Sequence, residues 1–337
     1  MTLTVDNITG ISKITNNGKL VKTGTDTPWL SFDNASTGIT VVCDGTLKLG
    51  SEQAGAKNDH TVLVKSGATF DLNGYKNNIM RVILEDGAYL INTRYNIPNT
   101  YQQIKSITLE GNATVSSDYN FGLRSENGEN KTTLALDSNT LTFDGEATFW
   151  LAGATITGSG VVNVANGTLQ CVSYSSAGAD CTLNIGANGM LRIDNNLSLT
   201  VKNFHNGGTY YVYSGYGLGT LVVTGTLTTG NKVTKLTLGN GATIKMTGTD
   251  NAQTVTTTFS ASGEIKVDGS EITRDALAEA TGIGIPVLKV PASFDPKNVK
   301  WSVSGTDAGS RSLRWVASES GKTLWLCRAS GMMLIIK

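Results

Sequence analysis

Histidine is almost missing from this 337-residue chain, with only His60 and His205. So small a supply leaves no persuasive Ser-His-Asp arrangement and no His-rich metal site. Cysteine is limited to four residues, Cys43, Cys171, Cys181 and Cys327. These are too few for a disulfide-stapled framework, and their spacing fits no zinc pattern. Charge is also scarce: 27 basic residues balance 27 acidic ones and together make up 16% of the chain. A neutral balance removes the electrostatic footprint that nucleic-acid or anionic-membrane binding needs. No apolar run approaches the ~20 residues needed to cross a bilayer. The opening MTLTVDNITG carries neither the basic nor the apolar region of a secretory signal. A calcium-binding nonapeptide repeat and a phosphate-cradling glycine loop are absent as well. No cofactor or metal is therefore expected.

Glycine, threonine and asparagine fill the space, with 39, 45 and 28 residues, about a third of the chain. Threonine's stiff branched Cβ suits pleated surfaces, while glycine and asparagine supply turns and left-handed backbone. An all-β protein of short strands follows.

These residues recur in a unit: apolar-x-apolar, polar residues, glycine, then apolar-x-apolar again. It is visible as VVCDGTLKL at Gly45, LVKSGATFDL at Gly67, ILEDGAYLI at Gly87, LTFDGEATFWL at Gly145, VVNVANGTLQC at Gly167 and TLGNGATIKM at Gly241. Intervals between the aligned glycines from Gly45 to Gly189 are 22, 20, 24, 34, 22 and 22 residues. A period near 22 with drift and one long insertion is the mark of coiled rungs with variable loops. Apolar residues alternate within each unit, and each glycine marks a bend needing positive φ or close backbone approach. No unit can bury its apolar face alone, so neighbours stack. The pattern therefore predicts a single-stranded parallel β-helix over residues 1–270. An antiparallel sandwich would lack the longer period, and a propeller would need a period nearer 40 to 50.

Beyond residue 270 the pattern changes. SEITRDALAEATG reads as a short helix capped by Thr273, and three of five tryptophans follow (Trp301, Trp315, Trp325) among the strand-like segments VKWSVSG, RSLRWVA, KTLWLCRA and MMLIIK. A solenoid needs its open end covered against edge-to-edge aggregation. Residues 271–337 are read as that C-terminal cap, with MMLIIK as its last strand.

Residues 18–50, GKLVKTGTDTPWLSFDNASTGITVVCDGTLKLG, resemble the autotransporter-associated β-strand repeat of secreted bacterial passenger proteins. Gly18, Leu20, Lys22, Thr23, Gly24, Leu30, Ser31, Asn34, Gly38, Thr40, Val42, Gly45, Thr46, Leu47, Leu49 and Gly50 match its pattern; Asp26, Pro28 and Phe32 depart from it. Pro28 suggests a distorted or edge strand. NGTLQ at 166–170 is a partial second copy. The resemblance implies a right-handed β-helix, an extracellular or outer-membrane-surface location, a structural role for the repeat, and a host or bacterial surface glycan or protein as partner. It also implies an outer-membrane translocator barrel. That barrel is absent from this chain, which leaves a barrel supplied outside it or another export route.

Two functional readings remain open. The first is a surface-displayed stalk, spacer or adhesion module without catalysis of its own. Its ligand-binding candidates are Tyr211, Tyr213 and Tyr216 in GGTYYVYSGYGLG, where alternation sets Tyr211 and Tyr213 on one face and Tyr210 on the other. The second is a polysaccharide lyase or glycosidase using clustered carboxylates, with Asp71, Asp86 and Glu85 as candidates and Arg81 or Arg94 nearby. Against it, Asp44, Asp86, Asp144 and Asp268 each precede glycine, as turn residues do. Cys171 and Cys181 bracket one short segment and are candidates for a disulfide in an oxidising compartment. His60, in AKNDH, reads as a solvated loop residue. Arg124 and Glu126 fall in the long interval and read as part of a lateral loop.

Overall fold

The computed structural model describes residues 2–5, 13–14, 18–30, 33–34, 38–51, 60–75, 80–94, 104–124, 132–172, 176–177, 180–194, 197–211, 219–280 and 283–329. Tyr213, Tyr216, Glu126 and the MMLIIK segment lie outside them.

Alternation in sequence becomes alternation in burial. In Thr61–Val64, Val62 and Val64 are buried while Thr61 and Leu63 are half-exposed, and Thr46–Leu49, Ser198–Val201 and Thr220–Val223 repeat the phase. Each strand then pairs in parallel with its counterpart one repeat away, so inward residues form rows along the long axis. One row runs Leu20, Thr40, Val62, Val82, Ile107, Leu134, Ile156. Another runs Leu141, Val162, Leu183, Phe204, Leu227, Ile244, Val267, Val303. Parallel rungs ~4.8 Å apart keep these rows in van der Waals contact. The chain is a β-solenoid.

A nine-stranded sheet from Thr2–Val5 to Ser176–Ala177 forms one face. A fifteen-stranded sheet from Trp29–Leu30 to Lys300–Ser304 forms a second, and a seven-stranded sheet starting at Ser198–Val201 succeeds the first. Pro28 precedes Trp29–Leu30, which is the terminal strand of its sheet, where a residue without an N–H is tolerated. Among the repeat glycines Gly45, Gly67, Gly87, Gly167, Gly241 and Gly263 take positive φ, while Gly111, Gly145, Gly189 and Gly225 sit where a Cβ would meet the neighbouring rung.

The parallel ladders continue past residue 270. Ile285–Val290 stacks on Gln253–Ala261 and Lys300–Ser304 on Glu264–Asp268. Only then does pairing turn antiparallel, through Gly321–Arg328 and Arg311–Ser318. The helix Arg274–Glu279 is capped by the Thr273 hydroxyl, which accepts from the Ala276 amide at 3.0 Å, and it buries Leu277. The buried Arg311 guanidinium donates to the Gly269 and Ile272 carbonyls, tying the antiparallel strands to the coil. Phe294, Trp301 and Trp315 cluster there with ring centroids 5.2 to 6.4 Å apart.

Several polar side chains are buried in the rod, Lys22 and His60 among them. Lys22 is 0% exposed, and its ammonium donates to the carbonyls of Thr23, Gly24 and Asp44 at 2.6, 2.7 and 3.2 Å. A buried cation survives there because it satisfies carbonyls of two rungs. His60, read from sequence as solvated, is buried as well, 2.8 Å from the Thr40 hydroxyl through Nε2. The inward phase of its neighbour rung supplies that partner, and a single-chain reading of AKNDH does not contain it.

Candidate functional site

The carboxylates nominated for hydrolysis are used by the scaffold. Asp71 ends the strand Thr69–Asp71 and is only 2% exposed. Its Oδ1 accepts from the Asn73 and Thr93 amides at 2.8 and 3.3 Å; its Oδ2 accepts from the Thr93 hydroxyl at 2.6 Å and faces Lys48 Nζ at 3.2 Å. Lys48 comes from the preceding rung and Thr93 from the following one, so this carboxylate clamps three successive rungs. Glu85 pairs with Lys65 and accepts from the Ser66 amide. Exposed Asp86 accepts from the Asn112 amide at 3.0 Å.

Asp71 lies level with Ile91, beyond the bend at Gly87, whereas Glu85 and Asp86 stand before and at that bend. Each of the three is bound to different partners, Asp71 to Lys48, Asn73 and Thr93, Glu85 to Lys65 and Ser66, and Asp86 to Asn112. Arg81 is exposed on Met80–Leu84, and Arg94 sits over the Tyr75 ring at 5.8 Å.

The tyrosine segment is partly described. Tyr210 faces inward opposite Leu191 and donates its hydroxyl to the Gly219 carbonyl at 3.3 Å; burial pushes its phenol well above the usual range. Tyr211 takes the alternate register, level with Arg192, in a row continuing through Gln170 and Trp150. Arg192 there forks onto Asp194 at 2.9 and 2.7 Å, and Gln170 Nε2 donates to the same carboxylate at 2.8 Å. Asp194 was not singled out from sequence. Its signal was the Arg-x-Asp spacing combined with a glutamine one period earlier.

Cys171 and Cys181 are both buried free thiols. Burial pushes Cys171 up to about 12 and Cys181 up to about 11, so neither is a ready nucleophile. Among the described residues no three His, Cys, Asp or Glu side chains group to hold a metal, and no helix is long and apolar enough to cross a membrane.

One outward feature escaped the sequence reading. The outer row of the fifteen-stranded sheet runs Asn163, Asn184, His205, Thr228, Lys245, Asp268. Asn184 Nδ2 donates to Asn163 Oδ1 at 2.8 Å, and the Thr228 hydroxyl lies 2.7 Å from His205 Nδ1. Beside this row the loop 246–252 forms a wall, leaving a cleft of about 550 Å³ over Asn184, His205 and Thr228. Half-burial holds the His205 imidazole below its ordinary range, and nearby Lys245 lowers it further.

The fold and its outward faces define a β-solenoid with polar lateral surfaces. Set against protein-family models, curated proteins and solved structures, the chain matches none of them.

Proposed function

We propose that this chain is a secreted or surface-displayed structural module, a passenger-like right-handed stalk or spacer that serves adhesion and carries out no catalysis of its own. One observation carries the reading: Asp71, Glu85 and Asp86 are each engaged by groups of adjacent rungs, so the carboxylates of this region hold the rod together. The resemblance of residues 18–50 to the autotransporter-associated repeat adds to it. Lys22, one of the matching positions, bridges two rungs in the core. In this reading residues 1–270 are the repeat portion and 271–337 its terminal cap, supported by the antiparallel pair Arg311–Ser318 and Gly321–Arg328. The partners are a glycan or protein of a bacterial or host surface, with Tyr211 and its neighbours on the Arg192 row as one contact stripe.

Protease treatment of intact cells producing the natural protein tests this directly. Surface display removes the chain without lysis, whereas a chain cleaved only after lysis refutes the reading. Depolymerisation of a polysaccharide by the purified chain, lost in Asp71→Asn with the fold retained, would refute it in favour of a lyase or glycosidase.

A further inference from the structure

The cleft beside His205 has the composition of a recognition site rather than a packing defect. Its floor is rigid. Asn231 Nδ2 donates to the Gly207 and Gly208 carbonyls, while the Asn231 carbonyl accepts from Asn206 Nδ2 at 2.9 Å and Gln253 Nε2 at 2.7 Å. Asn206 and Gln253 are buried and come from the rungs before and after, so the cleft is shaped before any ligand arrives. Preorganisation of this kind spares a ligand the cost of ordering its site.

The lining selects among ligand classes. Among the described residues Asp250 is the only acidic group lining it, and no lysine, arginine, tryptophan, tyrosine or phenylalanine does. Among these residues a phosphate, sulfate or uronate would find no lysine or arginine, a divalent ion would find one carboxylate, and a protein would find as apolar groups only Ala252 and the buried Ile185. Asn184, His205, Thr228, Asn231 and Asn251 instead offer amides, a hydroxyl and an imidazole, groups that donate and accept as sugar hydroxyls do. They sit on successive rungs ~4.8 Å apart, about one pyranose unit. A cleft of about 550 Å³ takes a short oligosaccharide.

We infer that the cleft bounded by Asn184, His205, Thr228 and Asp250 binds a neutral oligosaccharide. The inference rests on the surface-display reading and names a ligand class for one face of that module. Without an aromatic platform the affinity is weak, a Kd on the order of 1 mM per site.

The full chain labelled at histidine gives a direct readout, because only two imidazoles exist and buried His60 serves as the internal reference. Cellotetraose, mannotetraose and chitotetraose are titrated separately. At least one is expected to move the His205 resonances saturably and leave His60 in place. Saturation transfer to that sugar should weaken at least about tenfold in affinity in both His205→Ala and Asp250→Ala, with melting curves unchanged. The inference is overturned if no neutral sugar moves His205 up to about 10 mM, if both variants bind as the parent does, or if heparin displaces the resonance more strongly than any neutral probe. Any of these failures leaves the protease-accessibility result on cells as it stands, so the two readings fail separately.

Discussion

Gly67 and Gly167 form a controlled pair for asking what holds the rungs together. Both have φ of +73°, so alanine at either position bears the same left-handed strain, about 1–2 kcal/mol, partly offset by about 0.4–1 kcal/mol from a stiffer unfolded chain. They differ in surroundings. A Cβ at Gly67 meets nothing within 4 Å, whereas one at Gly167 would fall 2.1 Å from the Gly145 carbonyl oxygen and 2.6 Å from that of Ala147. Those oxygens are main-chain atoms of the preceding rung, held between the ladder pairs Asp144–Asn166 and Thr148–Thr168, so they cannot swing aside like a side chain. Gly67→Ala should therefore cost about 1 kcal/mol, and Gly167→Ala about 3–4 kcal/mol once forced separation of the rungs is added. Hydrogen exchange resolved to peptides is the suitable assay, since a stacked array opens locally and a single melting temperature averages over its rungs. Protection of peptides within 140–172 should fall roughly 150- to 900-fold in Gly167→Ala, against roughly fivefold for peptides around 61–71 in Gly67→Ala. Equal losses in the two variants would refute the claim that inter-rung contact, rather than φ, dominates the requirement for glycine.

Lys22→Met should leave the carbonyls of Thr23, Gly24 and Asp44 without their ammonium donor and cost about 3 kcal/mol, read as lost exchange protection over 19–45; a loss below about 0.5 kcal/mol would show that the amine is dispensable there. The imidazole of His205 is held low first by burial and then by Lys245, so Lys245→Met should raise its titration midpoint only partway toward 6.5, as followed by NMR; full recovery would make burial the lesser cause. Because its folded value is depressed, the unfolded chain takes up the proton first: stability around residues 203–228 is complete above pH 6.5 and falls as pH drops through that value, levelling once the folded imidazole is charged. Thiol labelling of the native chain should reach half-buried Cys43 and Cys327 while sparing Cys171 and Cys181. Unfolding in alkylating denaturant should then expose all four in reduced protein and leave Cys171 and Cys181 unlabelled after oxidation if those two pair; early labelling of Cys171 would contradict its burial.

The coil was legible because it is periodic. An apolar alternation that returns every 22 residues places each inward side chain over its predecessor, and the rows through Val62, Val82 and Ile107 follow from that arithmetic. Lys22 was legible in principle by the same route. It stands two residues after Leu20, in the inward phase, and in register with Val42. Reading lysine as a surface residue conceals it; reading it as an inward position predicts a buried cation and hence a demand for carbonyl acceptors. The continuation of parallel pairing to Ser304 was less visible, because the short helix and prolines after residue 270 interrupt the repeat while the register resumes beyond them.

The outward faces were less legible for a physical reason. Inward positions must be apolar on every rung, so their pattern survives drift in loop length, whereas an outward site is assembled from residues whose only relation is register. Asn184, His205 and Thr228 are separated by 21 and 23 residues, and nothing local to any of them marks the other two. The same logic applies to Asp71, a carboxylate in the outward phase: Lys48 and Thr93, 23 residues before it and 22 after, close over it, and neither is marked by anything local to it. In a solenoid a rung can vary those outward residues that, unlike Asp71, hold no neighbouring rung, while its inward ones keep the stack intact. Such residues vary independently of the core because the sheet separates the two. Substitution of exposed Asp250 should therefore alter what the surface meets without altering the exchange protection of the core rows beneath, whereas loss of His205, which is bonded to Thr228 of the next rung, should also loosen the stack locally.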